Sequence, residues 1–284
     1  ETRSADIQLL CSIQTFSARG SLARPSLRPR REGLMSTNLF EIKRFLDVNR
    51  YLDVLPKRRH AREGLYPFIT ISREFGAGGR KLATTLLEQM ERHPDPIFHG
   101  WQMFDRSLCE QLVSEPRMRT EIDAALAEEC HSEIEALLRN LLGVPSINPG
   151  AVGELFRIIR VVATRGKVII VGRAGSCVTA SLPLGVHLRL VAPVDFRLQQ
   201  LGWENRGKEA LKELEREDKD RARLVQTHFR RNIADPLLYD VVWNTGKVPF
   251  FSVARATIRL VEDRAAAAGL LRRRYSPASA AAAY

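Results

Sequence analysis

Apolar residues follow two different spacings along the chain, and the change between them first occurs within residues 67–90. The apolar run at residues 68–71 predicts a buried strand, and residues 82–90 repeat at helical spacing. Between them lies Gly76-Ala77-Gly78-Gly79. A strand that enters a helix through glycines directs backbone N–H groups and the positive end of the helix dipole to one spot, which suits a phosphate. The alternative is a plain turn in which the glycines only permit tight packing.

The same change of spacing recurs along the rest of the chain. Short apolar runs end in polar residues and alternate with longer stretches of helical spacing, which is typical of a parallel α/β sheet. Because ligands bind such sheets at the carboxyl ends of the strands, we expect the polar residues at 73–80, 105–106 and 173 to share one edge. The further predicted strands cover 97–106, 167–171, 186–191 and 237–244, and the further predicted helices cover 118–142, 152–165, 195–232 and 252–268.

The composition is that of a soluble globular chain. Of the 284 residues, 44% are hydrophobic, and no apolar run reaches the roughly 18 residues that span a bilayer. The four cysteines are scattered, with no CxxC pair and no histidines at metal-ligand spacing, so neither a disulfide framework nor a metal site is predicted. We expect one large or two small domains in a reducing compartment, the cytoplasm.

The net charge of +11 is concentrated at the N-terminal end. Residues 1–62 carry 13 Lys and Arg against 6 Asp and Glu, a net +7, so the remaining residues carry 31 against 27, a net +4. A basic balance is compatible with nucleic acid, an acidic membrane or a phosphorylated ligand. Since no nucleic-acid-binding motif is present, the modest surplus of the core favours a small phosphorylated ligand.

The N-terminal segment at residues 1–64 is predicted to be an extension. Residues 1–34 are rich in Ser and Arg and predicted to be disordered, and residues 36–55 form a candidate amphipathic helix. Either Met35 is the true start, or residues 1–34 are a transit peptide that would direct the protein to an organelle matrix. The basic cluster at residues 57–60 is either a solvated linker or an arm that binds a protein partner.

Five segments in order resemble the cytidylate kinase-like family, relatives of the bacterial cytidylate kinases. The resemblance covers roughly residues 65–262. It rests on ITISREFGAGG from Ile69, FDR at 104–106, VIIVGRAG at 168–175, DKDRA at 218–222 and DPLLYDVVWNT at 235–245.

The resemblance implies a P-loop α/β fold of three layers, α/β/α, with a parallel sheet core. A helical monophosphate-binding insertion would occupy residues 105–150, a lid would occupy 200–235, and residues 263–284 would be a tail. It also implies transfer of a phosphoryl group from ATP, with Mg²⁺, to a nucleoside monophosphate, with CMP or dCMP expected. We expect small-molecule nucleotides as partners, with no membrane and no specific nucleic acid, and the oligomeric state stays open.

The resemblance also implies roles for individual residues. Asp105 either binds the acceptor or caps a helix that begins at Ser107, and Asp218 with Arg221 is either a lid motif or a surface ion pair. The residues expected at the donor phosphates are Gly76, Ala77, Gly78, Gly79, Arg80 and Lys81. Those expected at the acceptor are Asp105, Arg106, Arg173, Asp218 and Arg221, and those expected to act in catalysis are Arg80, Arg173 and Arg221.

The sequence departs from the better-known cytidylate kinases at three places. Gly79 stands where the phosphate-loop lysine is expected, Ala174 replaces an aspartate, and Leu214-Glu215 replaces an Arg-Asp pair. The lysine neutralises charge on the transferred group, so Arg80 or Arg73 would have to substitute for it. The alternative is a catalytically weak or inactive nucleotide-binding module that acts as a regulatory or assembly subunit. A third reading is a kinase whose acceptor is not a nucleotide.

Overall fold

The computed structural model describes residues 66–105 and 150–271. The N-terminal segment, the predicted helix at 118–142, Arg106 and the chain after 271 lie outside the described residues. No helix within the described ranges combines the length and apolar character that crossing a bilayer requires.

In the described residues, five parallel strands form one sheet. They are β1 (Phe68–Arg73), β2 (Gln102–Phe104), β3 (Val168–Val171), β4 (Gly185–Val191) and β5 (Val241–Asn244). Their order is β2-β3-β1-β4-β5, so β1 lies at the centre, between β3 and β4. The inner strands are nearly continuous apolar runs because parallel sheets are covered on both faces. The predicted parallel sheet is confirmed, and its strands all end at one edge.

Helices cover both faces of this sheet. Those described are α1 (Gly79–Glu91), α2 (Gly150–Arg165), α3 (Gly175–Val178), α4 (Val194–Leu201), α5 (Gly207–Phe229) and α6 (Phe250–Ala267). Neighbouring residues of β1 face opposite sides. Phe68 lies in a core with Phe156 of α2, whereas Ile69 lies in a second core with Leu86 of α1 and Val253 of α6. The predicted three-layer α/β/α fold is therefore confirmed.

Two predicted strands, 97–106 and 237–244, are shorter than expected for the same reason. Each is preceded by an Asp-Pro pair whose carboxylate accepts a hydrogen bond from the backbone two residues later, at 3.0 Å for Asp95 and Ile97 and 2.9 Å for Asp235 and Leu237. This local bond and the fixed φ of proline start a 3₁₀ turn in both places. The strands therefore begin only at residues 102 and 241.

The charged stretch at 195–232, predicted to be helical, forms two helices, α4 and α5. Gly202 adopts φ +66° and ends α4, with its N–H donating to the Gln199 carbonyl and the Trp203 N–H to that of Leu198. This is a glycine C-cap, which the charge pattern does not reveal.

The predicted domain boundary at residue 262 falls inside α6. The helix continues to Ala267, and Ala265 is fully buried in the core that α6 shares with α1. Residues 263–267 therefore belong to the domain and not to the tail, because the buried helical face extends past the last motif.

Candidate phosphate-binding site

The carboxyl ends of β1 and β3 bring two arginines together. β1 ends at Arg73, and β3 is followed directly by Gly172 and Arg173. Gly172 has φ +86°, and a Cβ atom there would lie 1.8 Å from Nη1 of Arg73. Only glycine leaves room for the Arg73 guanidinium at this position. Pairing of the two strands thus places both arginines at the edge where a ligand was expected.

The glycine loop joins β1 to α1, which begins at Gly79. Gly76 and Gly78 have φ of +82° and +83°. A Cβ atom at Gly76 would lie 2.8 Å from the Arg197 carbonyl oxygen, and one at Gly78 would lie 2.2 Å from the Phe250 ring. These two glycines therefore permit tight packing, as the alternative reading of the loop proposed. The first N–H groups of α1 have no partner within the helix, so the loop also keeps the polarity that suits an anion.

Gly79 has a different neighbour from the other loop glycines. A Cβ atom at residue 79 would lie 2.9 Å from Cδ of Arg73 and 3.2 Å from its Nε. The Arg73 side chain therefore crosses the space that a side chain at residue 79 would occupy.

Arg73, Arg173 and Arg221 line one small cavity. Its volume is about 30 Å³, which is room for roughly one water molecule. Hydroxyl groups lie beside the three arginines, since Ser72, Ser176 and Tyr239 also line it. Three guanidinium groups with hydroxyl donors form a set suited to phosphoryl oxygens.

The pKa of Arg73 reflects this crowding of positive charge. Burial, with smaller contributions from the nearby Arg221 and Arg173, lowers the pKa of Arg73 to about 10, although Asp105 and Glu217 oppose the shift. Arg73 remains protonated at neutral pH. A bound anion would offset the repulsion between like charges and favour the charged form.

The Asp218 carboxylate holds α5 against the loop. One of its oxygens accepts a 2.7 Å hydrogen bond from the Phe75 N–H, and the other pairs with Arg197 of α4. Arg197 also donates from Nε to the Phe75 carbonyl at 2.7 Å. Asp218 is therefore engaged with the loop itself, and contact with an acceptor sugar or base stays a prediction.

Arg221 lies one helical turn from Asp218 and lines the cavity. Its closest ion pair is with Glu217, at 3.0 Å, and its guanidinium stacks 5.0 Å from the centre of the Phe75 ring. The Asp218–Arg221 pair is 3.9 Å long, so each residue has a closer partner than the other. The surface ion pair considered from sequence is thus a minor contact.

A sequence model of the cytidylate kinase-like family matches residues 68–247, which is more than half of the chain. The chain belongs to the cytidylate kinase-like family. No curated protein has a sequence that matches this chain.

Solved structures resemble this cytidylate kinase-like protein at low identity. An uncharacterized protein from Eubacterium ventriosum ATCC 27560 has 19% identity and a TM-score of 0.53, over 70% of this chain and 99% of that one, which supports the fold. Shikimate kinase from Bacteroides thetaiotaomicron has 12% identity and a TM-score of 0.38, over 69% and 97% of the two chains. Shikimate kinase from Acinetobacter baumannii, in complex with shikimate, has 14% identity and a TM-score of 0.35, over 70% of this chain and 95% of that one. TM-scores this low say nothing about the substrate of this chain.

Arg80 and Lys81 of the cytidylate kinase-like protein lie in the first turn of α1 but do not line the small cavity. Arg80 pairs with Asp105 at 3.3 Å, and its side chain is 66% exposed. Lys81 reaches Gln200 at 3.4 Å and lies 5.2 Å from the centre of the Phe250 ring. Asp105, at the end of β2, thus has a cationic partner at the same edge.

The sequence analysis named Arg73 as one of two candidates to replace the lysine but did not include it among the expected site residues; the structure places it in the wall of the cavity with Arg173 and Arg221. A signal for it exists in the phosphate-loop pattern Gly-x-x-x-x-Gly-Lys. Aligning the lysine of this pattern with Gly79 puts Arg73 at the first glycine. Arg197 and Tyr239 carry no comparable signal, because only the packing of α4 and of the segment before β5 brings them to the loop.

The donor set of this cytidylate kinase-like protein fits phosphate groups better than a metal held by protein alone. The described residues contain no group of three His, Cys, Asp or Glu side chains that could hold a metal ion. Glu74, Asp105 and Asp218 are carboxylates near the loop, and each already pairs with an arginine, while Mg²⁺ commonly binds through one carboxylate, waters and substrate phosphates. Binding of Mg²⁺ together with the nucleotide therefore stays an expectation from the family resemblance.

Proposed function

We propose that this cytidylate kinase-like protein transfers a phosphoryl group from Mg²⁺-ATP to a nucleoside monophosphate, with CMP or dCMP as the preferred acceptor. The bond between the γ-phosphorus and its bridging oxygen breaks, and a bond to an oxygen of the acceptor phosphate forms. The products are ADP and a nucleoside diphosphate. Family membership supports phosphoryl transfer of the nucleotide kinase type.

One observation supports this function above the others: Arg73, Arg173 and Arg221 line one cavity at the carboxyl ends of β1 and β3. Phosphoryl transfer needs positioning and neutralisation of charge on the phosphoryl oxygens more than covalent chemistry by the protein. In this proposal the start of α1 and the loop N–H groups bind the donor phosphates. Arg173 and Arg221 bind the acceptor phosphate.

The size of the cavity supports a step in which α5 moves. About 30 Å³ does not admit a nucleotide, and Arg221 and Val225 of α5 form part of its wall. We propose that α5 opens for the acceptor and closes over it, which excludes water and prevents hydrolysis of ATP. This is the lid role expected for residues 200–235.

A coupled assay of ADP release tests the function directly. The purified protein is given Mg²⁺-ATP with CMP, dCMP, UMP or AMP in turn, alongside Arg173→Ala and the surface control Arg259→Ala. We expect turnover with one monophosphate and a loss of roughly 100-fold or more in kcat/KM for Arg173→Ala, since an aligned cation contributes on this order. Arg259 pairs only with Glu262 and Asp263 among the described residues, so its variant should match the wild type. Absence of turnover with every acceptor would contradict the kinase function.

A second candidate function is nucleotide binding without catalysis. Two positions favour it, because Gly79 supplies no lysine and Ala174 supplies no carboxylate. This candidate predicts that calorimetry detects ATP binding while no acceptor yields ADP. In that case the basic segment at residues 1–62 is the proposed contact with a protein partner.

A further inference from the structure

Two positions of the phosphate loop have exchanged a glycine and a cation. In the pattern Gly-x-x-x-x-Gly-Lys, the first glycine lies where the strand ends and the lysine lies where the helix begins. Here the strand ends at Arg73 and α1 begins at Gly79, so the cation is at the first position and the glycine at the last. The number of cations in the loop is unchanged by this exchange.

The exchange preserves the position of the cation in space as well as the number of cations. The Arg73 side chain lies over residue 79, with Cδ, Nε and Cγ at 2.9, 3.2 and 3.3 Å from the position of a Cβ atom there. From that point the guanidinium extends to Gly172, next to Arg173 and Arg221. A side chain at either glycine would displace it. Arg73 therefore enters, from the strand, the space that a lysine at residue 79 would enter from the helix.

We propose that the Arg73 guanidinium replaces the phosphate-loop lysine and binds the outer phosphates of the nucleotide donor. This inference rests on the proposed function and identifies which of the two candidate arginines, Arg73 or Arg80, substitutes for the lysine. Arg80 is the weaker candidate because its side chain is largely exposed and already pairs with Asp105. The Arg73 side chain lines the small cavity, where a bound anion would contact it.

The surroundings of Arg73 indicate a role in binding an anion and not in stabilising the fold. Arg221 and Arg173 repel its charge more strongly than Asp105 and Glu217 attract it, so the net effect of its charged neighbours in the protein without ligand is repulsion. A structural arginine would instead be surrounded by carboxylates, as Arg197 is by Glu74 and Asp218. Removing the charge of Arg73 should therefore weaken nucleotide binding while leaving the melting temperature unchanged or higher.

The test compares Arg73→Gln, Arg73→Lys, Arg80→Gln and Arg259→Gln in the full chain. Arg73→Gln keeps an uncharged side chain as far as Cδ over Gly79 and removes the charged guanidinium, so we expect it to fold. We expect kcat/KM to fall roughly 100-fold or more in Arg73→Gln, to recover in part in Arg73→Lys, and to fall less in Arg80→Gln. Calorimetry with ATP and with adenosine is the second readout, and only ATP should bind more weakly to Arg73→Gln.

A double variant tests the exchange itself. Arg73→Gly removes the cation, and adding Gly79→Lys restores the usual order of the pattern, so the double variant should regain at least about tenfold in kcat/KM over Arg73→Gly. A folded double variant that stays at the level of Arg73→Gly would contradict the inference. So would Arg73→Gln with turnover and ATP affinity within about threefold of the wild type.

The outcomes separate this inference from the proposed function. Turnover that does not depend on Arg73 overturns the inference alone. ATP binding that depends on Arg73, without turnover on any acceptor, overturns the proposed function alone. Absence of both ATP binding and turnover overturns both.

Discussion

At the level of single residues, the partners of a charged side chain decide its role more than its position in a motif does. Asp218 and Asp220 lie two residues apart in the same charged segment of α5. Asp218 accepts from the Phe75 N–H and pairs with Arg197, which is almost fully buried. Asp220 pairs only with the exposed Arg223 among the described residues, at 3.7 Å. The first contact joins α5 to the loop, and the second joins two surface side chains.

We predict that Asp218→Asn lowers the free energy of unfolding by about 1–3 kcal/mol, because Arg197 loses a charged partner while the amide oxygen still accepts from Phe75. Asp220→Asn is the matched control and should change the free energy of unfolding by less than about 0.5 kcal/mol. Urea unfolding of both variants measures the difference. Equal effects of the two variants would contradict the role assigned to Asp218.

At the level of elements, the turn from β1 to α1 is fixed by close packing as well as by backbone conformation. Gly78 combines a φ of +83° with the Phe250 ring 2.2 Å from the position of an added Cβ atom. The buried Thr245 hydroxyl donates to the Ala77 carbonyl at 2.9 Å. The loop is thus held by α6 and by the end of β5. This support fixes the start of α1, where the phosphates are proposed to bind.

We predict that Gly78→Ala lowers the free energy of unfolding by more than about 2 kcal/mol, since it adds a clash with the Phe250 ring to the cost of a left-handed backbone. Gly202→Ala is the control, because Gly202 has φ +66° and no heavy atom within 4 Å of an added Cβ. It should cost only about 1 kcal/mol. Denaturant unfolding of Gly78→Ala and Gly202→Ala gives the free energy of unfolding of each variant. Similar decreases in the two variants would contradict a destabilising clash with the Phe250 ring.

At the level of the whole molecule, His187 joins the centre of the sheet to its edge. Its ring Nδ1 lies 2.8 Å from the Thr70 hydroxyl of β1, and its backbone N–H donates to Asp240, before β5, at 2.7 Å. Asp240 in turn pairs with Arg264 of α6. Burial lowers the pKa of His187, Arg264 lowers it further, and Asp240 opposes the shift.

This lowered pKa predicts a loss of stability in mild acid. Between the folded-state pKa of His187 and its unfolded value of about 6.5, the unfolded chain binds more protons than the folded one. The contribution of His187 to stability is therefore fully present above about pH 6.5 and decreases as the pH falls below it. Urea unfolding from pH 7.5 to 5.5 should show a steeper decline for the wild type than for His187→Gln. Parallel curves would contradict the prediction.

The sequence by itself determined the parallel α/β fold, the edge at which polar residues gather and the family. These follow from local patterns: apolar runs such as 168–171 need burial on both faces, and strands joined by helices end at the same edge. The hydrophobic pattern did not predict where the strands after Asp95 and Asp235 begin. In both places the Asp carboxylate accepts a hydrogen bond from the backbone N–H two residues later, and a 3₁₀ turn forms before the strand.

The tertiary structure alone decided which arginine of the loop enters the cluster. Arg73 and Arg80 are equally plausible replacements for the missing lysine in sequence, because both lie beside the glycines. Strand pairing brings Gly172 next to β1, and the absence of side chains at Gly79 and Gly172 opens the space that Arg73 fills. The same packing engages Asp218 with Phe75 and Arg197. The contacts of Arg73 with Gly172 and of Phe75 with Asp218 join residues about 100 or more positions apart, and a local pattern cannot encode them.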